Sequence, residues 1–182
     1  LTNVPALSTI LAGFVVFSLV ASIVYITNDI SDLEADRKHP LKKHRPIASG
    51  IVPVPAAVAL AIVLFLIALP AAYLLSPLFA LICVIYLVLN LVYSKWLKHI
   101  VILDVFILAS FYVLRVVAGG VLISVRLSPW LYVVATLLAL FIGFGKRRAE
   151  LSLLAENGNS QRKVLEGYTL PILDQFISIV AG

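Results

Sequence analysis

From Ile47 to Ser94 the chain carries no charged residue, and no soluble core absorbs an apolar stretch of that length. A bilayer is the solvent that accepts it. Val4 to Ile26 is also uncharged and long enough to cross a hydrocarbon core of roughly 30 Å at 1.5 Å per residue. The run from Ile47 to Ser94 has room for two spans, with Leu69-Pro70 and Ser76-Pro77 marking the turn between them. Ile100 to Val125 and Leu127 to Gly145 make a fourth and a fifth. Tyr168 to Gly182, apolar apart from Asp174, reads as a truncated further span. Hydrophobic residues make up 62% of the chain and charged ones 13%, a ratio foreign to soluble domains. The expected fold class is all-α, a polytopic transmembrane helical bundle forming one membrane domain over residues 1–182.

The basic residues orient that bundle. Arg37, Lys38, Lys42, Lys43 and Arg45 lie between the first two spans. Lys95 and Lys98 follow the third, and Lys146, Arg147, Arg148, Arg162 and Lys163 follow the fifth. The intervening turns hold only Arg126. Alternate loops are basic, so these loops are expected to face the cytoplasm from an inner membrane. The net charge of +5 is then a topological signal first and a phosphate-binding signal second, and no nucleic-acid partner is expected. Cys83, the one cysteine, sits in an apolar run, which excludes a disulfide framework and a thiolate metal site. Trp96 and Tyr168 read as interfacial anchors. The three histidines have no HExxH-type spacing, so zinc is not expected.

Acidic residues are scarce, yet Asp29, Asp32, Glu34 and Asp36 directly follow the first span. At about 100° per residue, Asp29, Asp32 and Asp36 fall within a helical arc of roughly 60°, with Asn28 at its edge. Glu34 points away. Three carboxylates on one stripe repel unless something positive sits between them. Oxygen ligands on a semi-rigid element suit Mg²⁺, which is usually shared with substrate phosphates. The stripe runs into the basic stretch Arg37 to Pro46, where Pro40 and Pro46 impose a loop and hold the residues before them extended. Acid and base in such proximity suit a substrate with several phosphates, bridged by metal and held by Lys and Arg. The alternatives are a solvated helix end and a topogenic loop near anionic lipid.

A second polar cluster runs from Asn90 through Tyr93 and Lys98 to His99, followed by Asp104 and Arg115. Asp104 stands about one turn inside the fourth span, where a carboxylate needs a partner or water. Arg115 shares its helical face but lies roughly 16 Å along the axis, too far for a direct pair. That face is a candidate cavity wall; the alternative is an ion pair to another helix. Gly119-Gly120 suits close helix packing or a bend, with packing the expected use. A third cluster, Gly143-Phe-Gly-Lys146-Arg147-Arg148, closes the fifth span, and its cations suit either a phosphate or topology.

Asn28-Asp29-x-x-Asp32-x-x-x-Asp36 resembles the first aspartate motif of the UbiA-type intramembrane prenyltransferase superfamily. Within it, NDISDLEADRKHPLKKHRPIASG, YSKWLKHIVILDVFILASFYVLRVVAGG and FGKRRAEL are similar to stretches of the decaprenyl-phosphate phosphoribosyltransferase branch. The resemblance covers nearly the whole chain. It implies a bundle of about nine spans around a cavity open to the cytoplasm and to lipid. The first and last spans would be missing here, so the chain reads as a piece of a longer protein, one that could be inactive alone. The second motif has a single Asp104 where many members carry DxxxD.

The resemblance implies Mg²⁺-dependent transfer of a 5-phosphoribosyl group from phosphoribosyl pyrophosphate to a polyprenyl phosphate, for cell-wall arabinan precursors. Asn28, Asp29, Asp32 and Asp36 would hold Mg²⁺, with Asp29, Asp32, Asp36 and Asp104 at the chemistry. Lys38, Lys42, Arg45, Lys146 and Arg147 would bind the donor's phosphates. Tyr93, Lys98 and Asp104 would orient the donor or hold the lipid phosphate, and Arg115 completes the substrate-binding candidates. One alternative is transfer of a prenyl group from a prenyl diphosphate to an aromatic acceptor. Against it stands the basic density from Arg37 to Arg45, excessive for one lipid diphosphate. A cation-binding transporter subunit would instead present facing acidic residues near mid-membrane across two repeats, and no repeat is visible.

Overall fold

The computed structural model describes residues 4–157 and 167–182; Arg162 and Lys163 lie outside the described residues. Among the described residues every regular element is helical. Five helices are apolar and long enough to cross a membrane, and the chain is a multi-pass membrane protein. Its contacts divide into two compact units, 1–94 with 121–124, and 95–120 with 125–182.

In the first unit, α1 (Val4–Ser31) packs against α3 (Val54–Leu75). The buried face of α1 is Gly13, Val16, Val20, Ile23 and Val24, a three-and-four spacing that makes one stripe. Helix α3 in turn buries Ala57, Ala61, Ala68 and Ala72. Small side chains let helix backbones approach, and in lipid that closeness replaces the hydrophobic drive. Phe17 reaches α4 (Pro77–Lys95), its ring centroid 4.9 Å from that of Tyr86. Hydroxyls along α1 bond back to carbonyls one turn earlier, Ser18 to Phe14 at 2.7 Å and Ser22 to Ser18 at 2.9 Å. These two donors are thereby paired within the helix rather than left open toward hydrocarbon. Outward residues such as Leu66 and Leu74 are exposed, as lipid-facing positions must be.

The turn after α3 is narrower than expected. Pro70 lies inside α3, and only Ser76 leaves the helical conformation, at φ −167° and ψ 130°. A proline removes one backbone bond but does not end a helix that packing holds. Ser76 Oγ accepts from Phe79 N, with Pro77 in the first turn of α4, an N-cap with its favoured neighbour.

In the second unit, α5 (Leu103–Leu122), α6 (Pro129–Asn157) and α7 (Leu170–Ala181) enclose a core of Val105, Ala109, Ala139, Leu140, Phe144, Tyr168 and Leu173. Phe144 of α6 faces Phe176 of α7 at 5.0 Å between centroids. Helix α6 continues well past Gly145, where the fifth span was expected to close. Lys146 to Leu151 are good helix formers, and charge alone ends no helix. Of the two paired glycines, Gly120 is covered by Leu127 and a side chain at Gly119 would meet open space, so one of them serves packing.

Candidate functional site

The acidic stripe lies at the junction of α1 with α2 (Leu33–Lys38). The helix is not continuous, since Asp32 breaks it at φ −97° and ψ 9°. The bonding rhythm survives all the same: Asp32 N bonds Asn28 O at 2.9 Å and Asp36 N bonds Asp32 O at 2.8 Å. The stripe therefore keeps close to its helical register.

The basic stretch folds back onto it. His39 and Arg45, each preceding a proline, are extended, at ψ 131° and 144°, as proline requires. Between them a 3-10 turn spans Lys42–His44, and His39 Nδ1 accepts from Leu41 N and Lys42 N. Gly50, at φ +83°, lets the chain reverse so that Val52 N reaches Pro46 O. Arg37 Nε binds Ala48 O at 3.3 Å, fastening α2 to that turn.

This folding delivers Arg45 to the carboxylates. Its Nη1 lies 2.8 Å from Asp29 Oδ1 and 2.8 Å from Asp36 Oδ2. Asp36 is 3% exposed, while Arg45 remains open to solvent. The positive group that the stripe demands is thus supplied by the chain itself. Among the described residues no three His, Cys, Asp or Glu side chains converge as a metal cage. Lys38 is exposed, Lys42 and Tyr93 are half-buried, and Asn28 joins through its backbone carbonyl.

The second unit builds a different cluster. Asp104, fully buried at the start of α5, accepts from Arg147 Nε through Oδ2 at 2.7 Å. Its Oδ1 accepts from Tyr168 Oη at 2.7 Å. Arg147, itself 3% exposed, also binds Glu150 one turn along α6. Of the two sequence readings of Asp104, an ion pair to another helix is the one found. Arg115 is exposed, its guanidinium 5.2 Å over the Tyr112 ring; Lys98 is half-buried and Lys146 exposed. Arg148 pairs with Asp174 of α7.

Tyr168 corrects an expectation. Read as an interfacial anchor, it is instead 4% exposed and hydrogen-bonded to Asp104. Burial pushes its phenol well above the ordinary tyrosine range, and the hydrogen bond to Asp104 adds to the shift. Nothing local in the sequence signals this contact, because the partners are 64 residues apart. Glu150 was missed for a related reason: an acidic residue beside three cations reads as surface charge until Arg147 is seen to be buried.

Comparison with known proteins matches residues 1–145 to the UbiA prenyltransferase family. The chain is similar to a decaprenyl-phosphate phosphoribosyltransferase of Mycobacterium tuberculosis, 45% identical over 166 residues, covering 91% of this chain and 55% of that protein. The corresponding Corynebacterium glutamicum protein is 41% identical, with 93% and 52% covered. A digeranylgeranylglyceryl phosphate synthase of Saccharolobus solfataricus is 32% identical, with 75% and 48% covered. The chain spans about half the length of the curated relatives it matches. Two aspartate-bearing clusters on apolar helices, with a family match over most of the chain, lead to one assignment: the chain belongs to the UbiA prenyltransferase family.

Proposed function

We propose that this chain is part of a membrane phosphoribosyltransferase. The enzyme moves a 5-phosphoribosyl group from phosphoribosyl pyrophosphate to a polyprenyl phosphate, supplying cell-wall arabinan precursors. The C1–O bond to pyrophosphate breaks, a bond forms from C1 to a lipid phosphate oxygen, and pyrophosphate leaves. The acceptor oxygen is already anionic, so positioning and charge stabilisation suffice without a strong base. The basic loops face the cytoplasm from the inner membrane.

The observation that carries the reading is Arg45. One cationic nitrogen bonds both Asp29 and Asp36, so these carboxylates already accept a positive group, which supports the reading that they would accept Mg²⁺. Asn28, Asp29, Asp32 and Asp36 are the residues that would hold Mg²⁺. With few protein ligands converging, its remaining positions would go to water and donor phosphates, which is how Mg²⁺ is commonly held. When bound, it neutralises charge on the departing pyrophosphate. Lys38, Lys42 and Arg45 bind the donor's phosphates through charge-assisted hydrogen bonds, and Tyr93 orients the donor. In the second unit, Lys98, Arg115, Lys146 and Arg147 offer cations to a phosphate, and Asp104 fixes the guanidinium of Arg147. The relatives named decaprenyl-phosphate phosphoribosyltransferase support this choice of substrates.

The name of the matching family, UbiA prenyltransferase, favours a second reading, prenyl transfer from a prenyl diphosphate. Donor competition on the full-length protein separates the two. Phosphoribosyl pyrophosphate should be consumed and should resist displacement by a prenyl diphosphate. Consumption of the prenyl diphosphate alone overturns the phosphoribosyl reading.

A further inference from the structure

We infer that Tyr168 is a positioning residue, tying the Asp104 carboxylate to the backbone at the start of α5 and so holding the Asp104–Arg147 pair in its working geometry. The inference rests on the proposed role of that pair in the reaction.

Ile102 has φ +71°, and a β-branched residue in this region is a clear outlier. Leu103 N bonds Val101 O at 2.8 Å across it, closing a three-residue turn of a rare and strained kind. Such a conformation persists only where its surroundings over-determine it. The surroundings here are the segment Gly167-Tyr168-Thr169. Ile102 N donates to Tyr168 Oη at 2.6 Å, and the same hydroxyl donates to Asp104 Oδ1 at 2.7 Å. A hydroxyl has one proton, so that proton goes to the carboxylate while a lone pair serves the amide.

The neighbours of Tyr168 make the bridge possible. A Cβ at Gly167 would stand 2.3 Å from Val101 Cγ2, so only glycine lets the segment lie this close to the turn. Thr169 caps α7, its hydroxyl accepting from Ile172 N. Close approach, bridge and cap thus occupy three consecutive residues. Tyr168 also belongs to the core of its unit, and a phenylalanine would fill the same space without the bridge. With Oδ1 released, the carboxylate can turn about its Cβ–Cγ bond, and the Arg147 guanidinium bonded to Oδ2 turns with it.

The test compares full-length wild type, Tyr168→Phe and the packing control Leu173→Ala in lipid nanodiscs. For Tyr168→Phe, kcat should fall about 10- to 100-fold, the scale of lost orienting contacts, with KM for phosphoribosyl pyrophosphate within about threefold. Hydrogen exchange at the Ile102 amide should accelerate at least about tenfold as its acceptor is lost. Leu173→Ala should lower the unfolding midpoint with kcat per folded molecule unchanged. A Tyr168→Phe kcat within about twofold of wild type overturns the inference, as does unchanged exchange at Ile102. Should wild type transfer no phosphoribosyl group, the proposed function fails. The exchange arm still reads the bridge, and the kcat comparison is then made with a prenyl diphosphate donor.

Discussion

Arg45 Nη1 donates to Asp36 Oδ2 at 2.8 Å, joining an exposed guanidinium to a carboxylate that is 3% exposed. The asymmetry matters. Removing the arginine strands a charge with little access to water, whereas removing the carboxylate leaves a guanidinium that solvent reaches and that still bonds Asp29. Arg45→Met should therefore destabilise the full-length protein by roughly 2 kcal/mol, below the range for fully buried pairs because Arg45 is solvated. Asp36→Asn should have less effect. Thermal unfolding in detergent, with Asp36→Asn/Arg45→Met closing the cycle, measures both; equal losses from the two single changes would contradict this account.

Asp104 and Arg147 are both buried, and breaking such a pair from one side costs about 3–5 kcal/mol. Asp104→Leu or Arg147→Met alone should fall in that range. The double variant should recover part of the loss, with a coupling energy of about 1–3 kcal/mol. Additive losses in a double-mutant cycle would show that the pair does not act as a unit.

Gly143 separates α6 from Val105 of α5, and a Cβ there would stand 2.6 Å from Val105 Cγ1. Valine is stiff at χ1 and cannot swing aside. Gly143→Ala should cost about 1–3 kcal/mol through overpacking. A side chain at Gly145 meets open space, and Gly145→Ala should be neutral or stabilising by up to about 1 kcal/mol. The ordering of the two unfolding midpoints is the observable.

The raised Tyr168 phenol pKa predicts how its contribution depends on pH. A group whose folded pKa exceeds the unfolded value stabilises fully below the unfolded value, here about 10 for tyrosine, and loses that contribution as pH rises beyond it. The stability difference between wild type and Tyr168→Phe should be constant from about pH 6 to 9 and shrink above about pH 10. Chemical denaturation across that range checks it. A difference that titrates near neutrality would point to another group.

The spans and the first aspartate stripe were legible because each depends on neighbours in sequence: uninterrupted apolar runs, and carboxylates at three- and four-residue spacing. Arg45 was legible as a candidate but not as the partner of Asp29 and Asp36, because that pairing needs the chain to fold back through the extended His39 and the Lys42–His44 turn. Pro70 misled because proline is punctuation in water, whereas a packed apolar helix runs through it. Asp104, Arg147 and Tyr168 meet across 43 and 64 residues. Their pairing is set by how α5, α6 and α7 enclose a common core, which no local pattern records.

The central claim is that the carboxylates at the α1–α2 junction serve a divalent cation and a sugar with phosphates at both ends. It is tested most directly by Mg²⁺-dependent transfer from labelled phosphoribosyl pyrophosphate to polyprenyl phosphate, comparing full-length wild type with Asp32→Asn. The account predicts turnover by wild type that chelation abolishes, and a loss of about 10²-fold or more in the variant, as expected when charge stabilisation at the leaving group is removed. Equal Mg²⁺-dependent turnover by the two proteins would contradict it.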